Sequence, residues 1–330
     1  MSTKELEYKL SQLKILVIGD LMLDKYLFGK VTRISPEAPV PIVDVYEEDA
    51  RLGGAANVAL NLQSLGVTPV LVGAIGDDSN GKEFLKIIAQ YKLSNQQIIL
   101  SQNRRTTTKF RVIGNHQQVL RVDKEDTFPI SETEVQFILE KLKKLFSNGE
   151  IHAIIFEDYD KGFITPELIN KVVHWSNFYN IPTFVDPKFK NFLFYGHCTV
   201  FKPNLKELKA GMGHQFRWNS LEELKLIAPE IRDFLGNNYL LLTLSEQGVL
   251  CVGNEVRHYP AFYRQIADVS GAGDTVISVL AACMTAGLDF FTSAQLANLA
   301  GGLVCEKVGV VAIDKNEWLH EALQKKLLIE

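Results

Sequence analysis

Six short apolar runs, at 15–18, 70–74, 153–156, 183–185, 199–201 and 240–244, limit what this chain can fold into. A strand wetted on one face alternates apolar and polar residues, whereas these runs do not alternate and so read as strands covered on both faces. Helical patterns lie between them, at 55–65, 81–91, 132–146, 166–179, 220–234 and 272–286. Strands that alternate with helices imply right-handed crossovers and a three-layer α/β fold with a doubly wound, mostly parallel sheet.

Two segments break this rhythm. Residues 26–47 are strand-like but carry Pro36, Pro39 and Pro41, and residues 106–123 read as strands 107–112 and 118–122 around the turn Gly114-Asn115. Both are expected to be antiparallel additions outside the main sheet. With no repeat, low-complexity tract or linker in sight, the expectation is a single domain over 1–330 with a small β lid.

Composition excludes several function classes. A net charge of −4 argues against a nucleic-acid partner. Cys198, Cys251, Cys283 and Cys305 are scattered, which suggests neither a zinc site nor a disulfide framework, and three of them lie in apolar surroundings that suit core thiols. The start of the chain reads as a charged amphipathic helix without a signal peptide's apolar stretch, and no run is long enough to span a bilayer. The default is a reduced, cytoplasmic setting with no membrane partner.

The segment richest in chemistry is Asp268-Val269-Ser270-Gly271-Ala272-Gly273-Asp274-Thr275, which opens directly into an apolar helix. Glycines at a helix start let the backbone approach a ligand, and the free N–H groups and dipole there favour an anion. A phosphoryl group in transit is such an anion. A carboxylate at Asp274, in the first turn, can accept the proton of an attacking hydroxyl. Taken alone, the segment can equally be a glycine-rich loop with a capping Asp.

Residues 76–83, Gly-Asp-Asp-Ser-Asn-Gly-Lys-Glu, nearly spell a phosphate loop. Glu83 stands where the magnesium-binding hydroxyl belongs, and the two added carboxylates would repel a triphosphate. This segment reads as a strand-to-helix turn.

Three further segments resolve the ambiguity at Asp274. They are Gly19-Asp20-Leu21-Met22-Leu23-Asp24, Gly53-Gly54-Ala55-Ala56-Asn57-Val58-Ala59 and Asn204-Leu205-Lys206-Glu207. With the Asp268–Thr275 octapeptide they follow the order of the signatures of the ribokinase (PfkB-type) carbohydrate kinases, which the chain resembles over essentially its full length. Within that family it is most similar to the bacterial kinases of D-glycero-β-D-manno-heptose 7-phosphate. That likeness rests on the run from Thr32 to Pro41, on Asp158-Tyr159 with Lys161-Gly162, on Asp186-Pro187-Lys188, on Ser245-Glu246-Gln247-Gly248 and on the glycines before Asp274. Leu244 departs from the Arg usual in that group, and the tail at 311–314 also drifts. Some relatives carry a fused nucleotidyltransferase, for which 330 residues leave no room.

The resemblance implies a ribokinase-like fold and transfer of the ATP γ-phosphoryl group to the anomeric hydroxyl of the heptose phosphate. It makes Asp274 the base and the Gly271, Ala272 and Gly273 amides the anion hole. It places Gly53, Gly54 and Asn57 on the sugar hydroxyls, at a loop-to-helix junction that is otherwise a helix N-terminus with flexible entry, and Asp20 and Asp24 beyond the first strand, where Asp24 can equally be solvated or packed against the lid. Arg33, Lys109, Arg111 and Arg121, in the lid segments, become candidate partners of a phosphate on the acceptor, since Arg offers bidentate geometry. Each is otherwise an ordinary strand-surface cation.

Asn204 and Glu207 are implied near Mg2+ and the phosphates, acting through water, though the same spacing makes a capping box. Lys188 is a candidate phosphate contact, or else a surface lysine. Thr243, Ser245, Gly248 and Asn298 are implied on the nucleotide side. Asp268 and Ser270 match positions that hold a monovalent cation in some members. Open lid edges imply a homodimer paired through the lid. Two alternatives stay open: a kinase of another sugar, sugar phosphate or nucleoside, and a non-catalytic sugar- or nucleotide-binding relative.

Overall fold

The computed structural model describes residues 1–115 and 117–329; His116, inside the second expected lid segment, and Glu330 lie outside the described residues. The chain opens with α1 (Thr3–Gln12), β1 (Lys14–Gly19), the long strands β2 (Leu21–Ile34) and β3 (Pro41–Gly54), and α2 (Ala55–Ser64). Next come β4 (Thr68–Gly76), α3 (Ser79–Gln90), β5 (Ile98–Ser101), and the hairpin of β6 (Thr107–Gly114) and β7 (Gln117–Lys124). Then follow α4 (Glu132–Ser147), β8 (Ala153–Glu157), α5 (Pro166–Phe178), β9 (Thr183–Asp186), β10 (Val200–Phe201), α6 (Leu205–Met212) and α7 (Leu221–Leu235). Strands β11 (Tyr239–Thr243), β12 (Val249–Val252) and β13 (Val256–Tyr259) precede α8 (Ala272–Thr285), α9 (Phe290–Val304) and α10 (Lys315–Gln324).

Nine strands form the main sheet in the order β13-β12-β11-β10-β9-β8-β1-β4-β5. It is parallel from β11 to β5, and β12 and β13 add an antiparallel edge. Alternate residues of β1 explain its unbroken apolar run. Ile15 and Val17 join the core beneath α1, α2, α8 and α9, while Leu16 and Ile18 join the opposite core beneath α4, α5 and α7. Both faces are therefore dry and polar residues are excluded from each. All four cysteines are free and buried. Among the described residues no helix is long and apolar enough to cross a membrane.

The segments that broke the rhythm form a second sheet, in the order β3-β2-β6-β7. It is larger than the sequence suggests, because Pro36 and Pro39 interrupt only the tip while Pro41 starts β3. Its strands are also not all antiparallel. β2–β3 and β6–β7 are antiparallel ladders, but β2 and β6 run parallel, since the long passage through α2 to β5 returns the chain to the same end. Asn115, in the left-handed region, ties the β6–β7 turn to both backbone groups of Val31 on β2. Residues 76–83 are the expected strand-to-helix turn, with Asp78 capping α3 by accepting from the Gly81 amide.

Candidate active site

The carboxyl ends of five parallel strands converge on the start of α8. Ligands of such sheets bind beyond these ends. Here they present Gly19-Asp20 from β1, Glu157 from β8, Asp186 from β9, Lys202 after β10 and Thr243 from β11.

Asp274 sits in the first turn of α8, after an N-cap Gly271 at φ +81°. Its side chain is buried. Oδ2 accepts from Asn57 Nδ2 at 2.8 Å and Oδ1 accepts from the Tyr159 hydroxyl at 2.7 Å. Burial pushes its pKa up to about 6 against the pull of those two hydrogen bonds. The cradle before it is tight. A Cβ on Gly271 would lie 2.9 Å from Asn57 Nδ2, in a backbone conformation that suits glycine.

A Cβ on Gly273 would meet Asp186 Oδ2 at 3.6 Å and Lys202 Nζ at 3.7 Å, so the N-terminal amides of α8 border a buried ion pair. Lys202 and Asp186 are 2.7 Å apart. Beside them Glu157 is fully buried, and neither of its carboxylate oxygens meets a donor among the described residues. Burial, then Asp186 and Asp274, hold its pKa well above the carboxylate range.

Asn57 is engaged within the protein, since its amide holds Asp274. Gly53 and Gly54 end a strand that runs straight into α2, so the expected loop-to-helix junction has no loop. Close approach explains both glycines: a Cβ on Gly53 would fall 2.0 Å from Asp24 Oδ2, and one on Gly54, at φ +58°, 2.5 Å from the Asp20 carbonyl. The two aspartates are also engaged with the protein. Asp20 accepts from the amides of Tyr159, Lys161 and Phe163 and so shapes the loop after β8. Asp24 pairs with Arg111 in a buried salt bridge.

Of the four lid cations only Lys109 reaches toward Asp274. Its ammonium lies 4.9 Å from the centre of the Tyr159 ring, and burial lowers its pKa. Arg111 is neutralised by Asp24. Arg121 pairs with Asp123 on exposed β7. Arg33 is exposed beside Asp44 near the tip of β2, roughly 40 Å along the strand from Leu21 at the usual rise per residue. Of the four expected phosphate partners Arg33 stands apart, while Arg121 lies opposite Arg111 across the β6–β7 ladder, and both of those are paired with carboxylates.

On the other side, Asn204 and Glu207 form the full capping box of α6, with Asn204 Oδ1 accepting at 2.9 Å and Glu207 Oε2 at 2.8 Å. Glu207 Oε1 pairs with Lys188, which is thus no surface lysine. Thr243 bridges to Asn204 across the strand ends. Ser245, at φ +54°, starts a single 3₁₀ turn. Gly248, at φ +88°, lies where a Cβ would meet the Tyr259 carbonyl at 2.1 Å. Asn298 donates to the Pro260 carbonyl at 2.9 Å. Asp268 accepts from the Ser270 and Gly309 amides, one on each oxygen.

Among the described residues no group of three or more His, Cys, Asp or Glu side chains is arranged to hold a metal. Magnesium that keeps its waters and takes oxygens from a nucleotide needs only one or two carboxylates. Asp186 at the end of β9 and Glu207 in the first turn of α6 are two carboxylates of that kind, each also paired with a lysine.

Tyr159, Glu157, Asp186 and Lys202 had no assigned role in the sequence reading. The signal available was a charged residue ending an apolar run, in Ile-Ile-Phe-Glu and Val-Phe-Lys.

A family model described as pfkB family carbohydrate kinase matches residues 12–317. The bifunctional protein HldE of Magnetococcus marinus is 41% identical over 309 residues, covering 93% of this chain and 63% of that protein. HldE of Trichlorobacter lovleyi is 40% identical, over 93% of this chain and 62% of that protein. The chain thus spans less than two thirds of these relatives. Phosphofructokinase-2 from Escherichia coli, solved with potassium, superposes with a TM-score of 0.77 at 16% identity, covering 96% of this chain and 98% of that one. Ribokinase of Arabidopsis thaliana, solved with ribose and ATP, gives 0.72 at 16% identity, over 94% and 98%. These likenesses establish the ribokinase-like fold.

Proposed function

Because the chain belongs to the pfkB family of carbohydrate kinases, we propose that it transfers the γ-phosphoryl group of ATP to the anomeric hydroxyl of D-glycero-β-D-manno-heptose 7-phosphate, giving the 1,7-bisphosphate. The observation that carries this reading is Asp274, buried at the amide-lined start of α8 with a pKa of about 6. The heptose acceptor is supported by the likeness of 32–41, 158–162 and 186–188 to that branch, and by the identity to HldE proteins.

Asp274 takes the proton of the attacking hydroxyl as its oxygen bonds to phosphorus and ADP leaves. The Gly271 and Gly273 amides and the dipole of α8 face the charge that develops on the transferring group, whereas the Ala272 amide, expected in the same anion hole, donates to the Val269 carbonyl at 3.3 Å. Gly53, Gly54 and Asn57 border the sugar, and Lys109 faces its phosphate. Lys188, Asn204, Thr243, Ser245, Gly248 and Asn298 border the nucleotide. Glu207, with Asn204 and Asp186, would hold hydrated magnesium, which when bound neutralises phosphate charge. The main sheet and lid act as one domain, since strand β2 continues directly from β1 through Asp20.

Exposed Ile34, Val40, Tyr46, Leu120 and Val122 leave apolar side chains on the lid, which supports a homodimer paired there. A monomer by light scattering at micromolar concentration would refute the dimer.

One observation favours a second reading. With Arg33 remote, Arg121 paired with Asp123 and Arg111 neutralised by Asp24, a single chain offers little charge to an acceptor phosphate, as suits a neutral sugar or nucleoside. ADP release measured with heptose 7-phosphate, ribose, fructose and their phosphates decides the matter. The heptose phosphate reading requires the highest kcat/KM for that acceptor, and a preference for neutral sugars removes it.

A further inference from the structure

The phenol of Tyr159 donates to Asp274 Oδ1 at 2.7 Å, and its backbone is pinned where the Tyr159 amide meets Asp20 Oδ2 at 2.8 Å. Two ammonium groups lie against the same ring. Lys109 comes from the lid at 4.9 Å, and Lys188, paired with Glu207, from the nucleotide side at 5.0 Å. One aromatic side chain therefore touches the carboxylate read as the base and a cation on each substrate's side.

We propose that Tyr159 is a positioning residue for phosphoryl transfer: its hydroxyl holds Asp274 ionised and oriented, and its ring links that carboxylate to Lys109 and Lys188. The inference rests on the reading of Asp274 as base. Each oxygen of Asp274 has one donor, from Tyr159 or Asn57, and keeps a lone pair for the acceptor hydroxyl. The carboxylate cannot turn without breaking one of these contacts. The phenol itself stays protonated, because burial and then Asp274 hold its pKa well above 10. The other ionisable groups facing Asp274 are Glu157 on β8, Asp186 on β9 and Lys202 after β10; α2 contributes only neutral Asn57.

The test is Tyr159→Phe, which keeps the ring and removes the donor, read in two ways. The first is the pH profile of kcat/KM. The second is the carboxyl titration of Asp274 by NMR in unliganded protein labelled with 13C-aspartate, the signal assigned by its loss in Asp274→Asn. The expected result is a kcat lower by about tenfold with both KM values little changed, as for a lost hydrogen bond to a charged group. Both the acid limb and the NMR midpoint move to higher pH. Incorporating 3-fluorotyrosine at position 159 keeps the side chain's shape and strengthens the donor, so it must move both to lower pH. This second variant decides the matter if Tyr159→Phe does not fold. An NMR midpoint unmoved in the folded variant overturns the inference alone. A moved midpoint beside an unmoved acid limb overturns Asp274 as base and the inference with it.

Discussion

Asn57 and Asp274, 217 positions apart in sequence, share a hydrogen bond of 2.8 Å that joins the first turns of α2 and α8. The bond lies within a longer chain of contacts. Asn61 donates to the Asn57 carbonyl, Thr275 donates to Asn61 Oδ1, and Asn61 Oδ1 also accepts the Ile313 amide. The two glycine-bearing segments of the sequence are thus one clasp, in which each helix start fixes the other. Asp274 is placed by contacts between two helix starts.

Asp274→Asn should therefore fold, bind ATP and lose turnover. Removing a general base costs about 10²–10⁴-fold in kcat. Stability should move the other way. A carboxylate whose folded pKa is about 6, above its ordinary 3.8, loses folding stability as pH rises between those values and stays at the lower level above them. Taking that charge away should stabilise the protein at pH 7 by about 3 kcal/mol. Denaturant melts at pH 7 and pH 4 check this, since the gain must shrink at the lower pH.

The same burial sets the pH dependence of the reaction. In the proposed reaction Asp274 acts as its carboxylate, so kcat/KM should fall as pH drops through about 6. A profile flat down to pH 4.5 would mean that Asp274 does not accept the proton.

Much of this fold was legible because dry strands leave an unmistakable apolar signature. Ile15 to Ile18 reads as a strand since both of its faces are covered. The lid was legible only in outline, because Pro36 and Pro39 obscured strands that continue on either side of them, and because a parallel β2–β6 pairing depends on a connection of more than fifty residues. In the site, local pattern placed Asp274 and its glycines at a helix start, but a reacting carboxylate was separated from a capping one only by the other segments that share the family's order. The pairing of Asp24 with Arg111 was not. Two oppositely charged residues 87 positions apart give no sign of meeting, so Asp24 read as a substrate contact or a solvated or lid-packing residue, and Arg111 as a phosphate partner or a surface cation. Glu157 and Lys202 were missed for a related reason: a charge after an apolar run resembles the start of a surface loop until neighbouring strands end beside it.

Gly53 tests whether that hidden pair matters. Its Cβ would fall 2.0 Å from Asp24 Oδ2, and the side chain could escape only by leaving Arg111. Gly53→Ala should destabilise the protein by about 3 kcal/mol or more, the usual cost of separating a buried ion pair. Gly196→Ala, which like Gly53 lies outside the left-handed region and whose added atom would meet only the Leu235 carbonyl at 3.4 Å, serves as the control for the replacement itself. A Gly53→Ala loss no larger than the control's would show that the pair yields easily.

Lys109 is the remaining measure of what the lid does for the acceptor. It is partly buried, burial lowers its pKa, and among the described residues no carboxylate lies within ion-pair distance of it. An ammonium held in this way is destabilised until an anion joins it, and a phosphate on the acceptor is the anion that the proposed reaction supplies. Lys109→Met keeps the stem's packing and removes the charge. KM for the phosphorylated acceptor should rise by about ten- to a hundredfold, the range for a lost charge-assisted hydrogen bond, while KM for ATP changes little. Stability should hold or improve, since no partner charge is left behind. If KM for the phosphorylated acceptor stays the same while the variant folds, Lys109 serves the Tyr159 ring alone, and the acceptor's phosphate must be bound from outside this chain's lid.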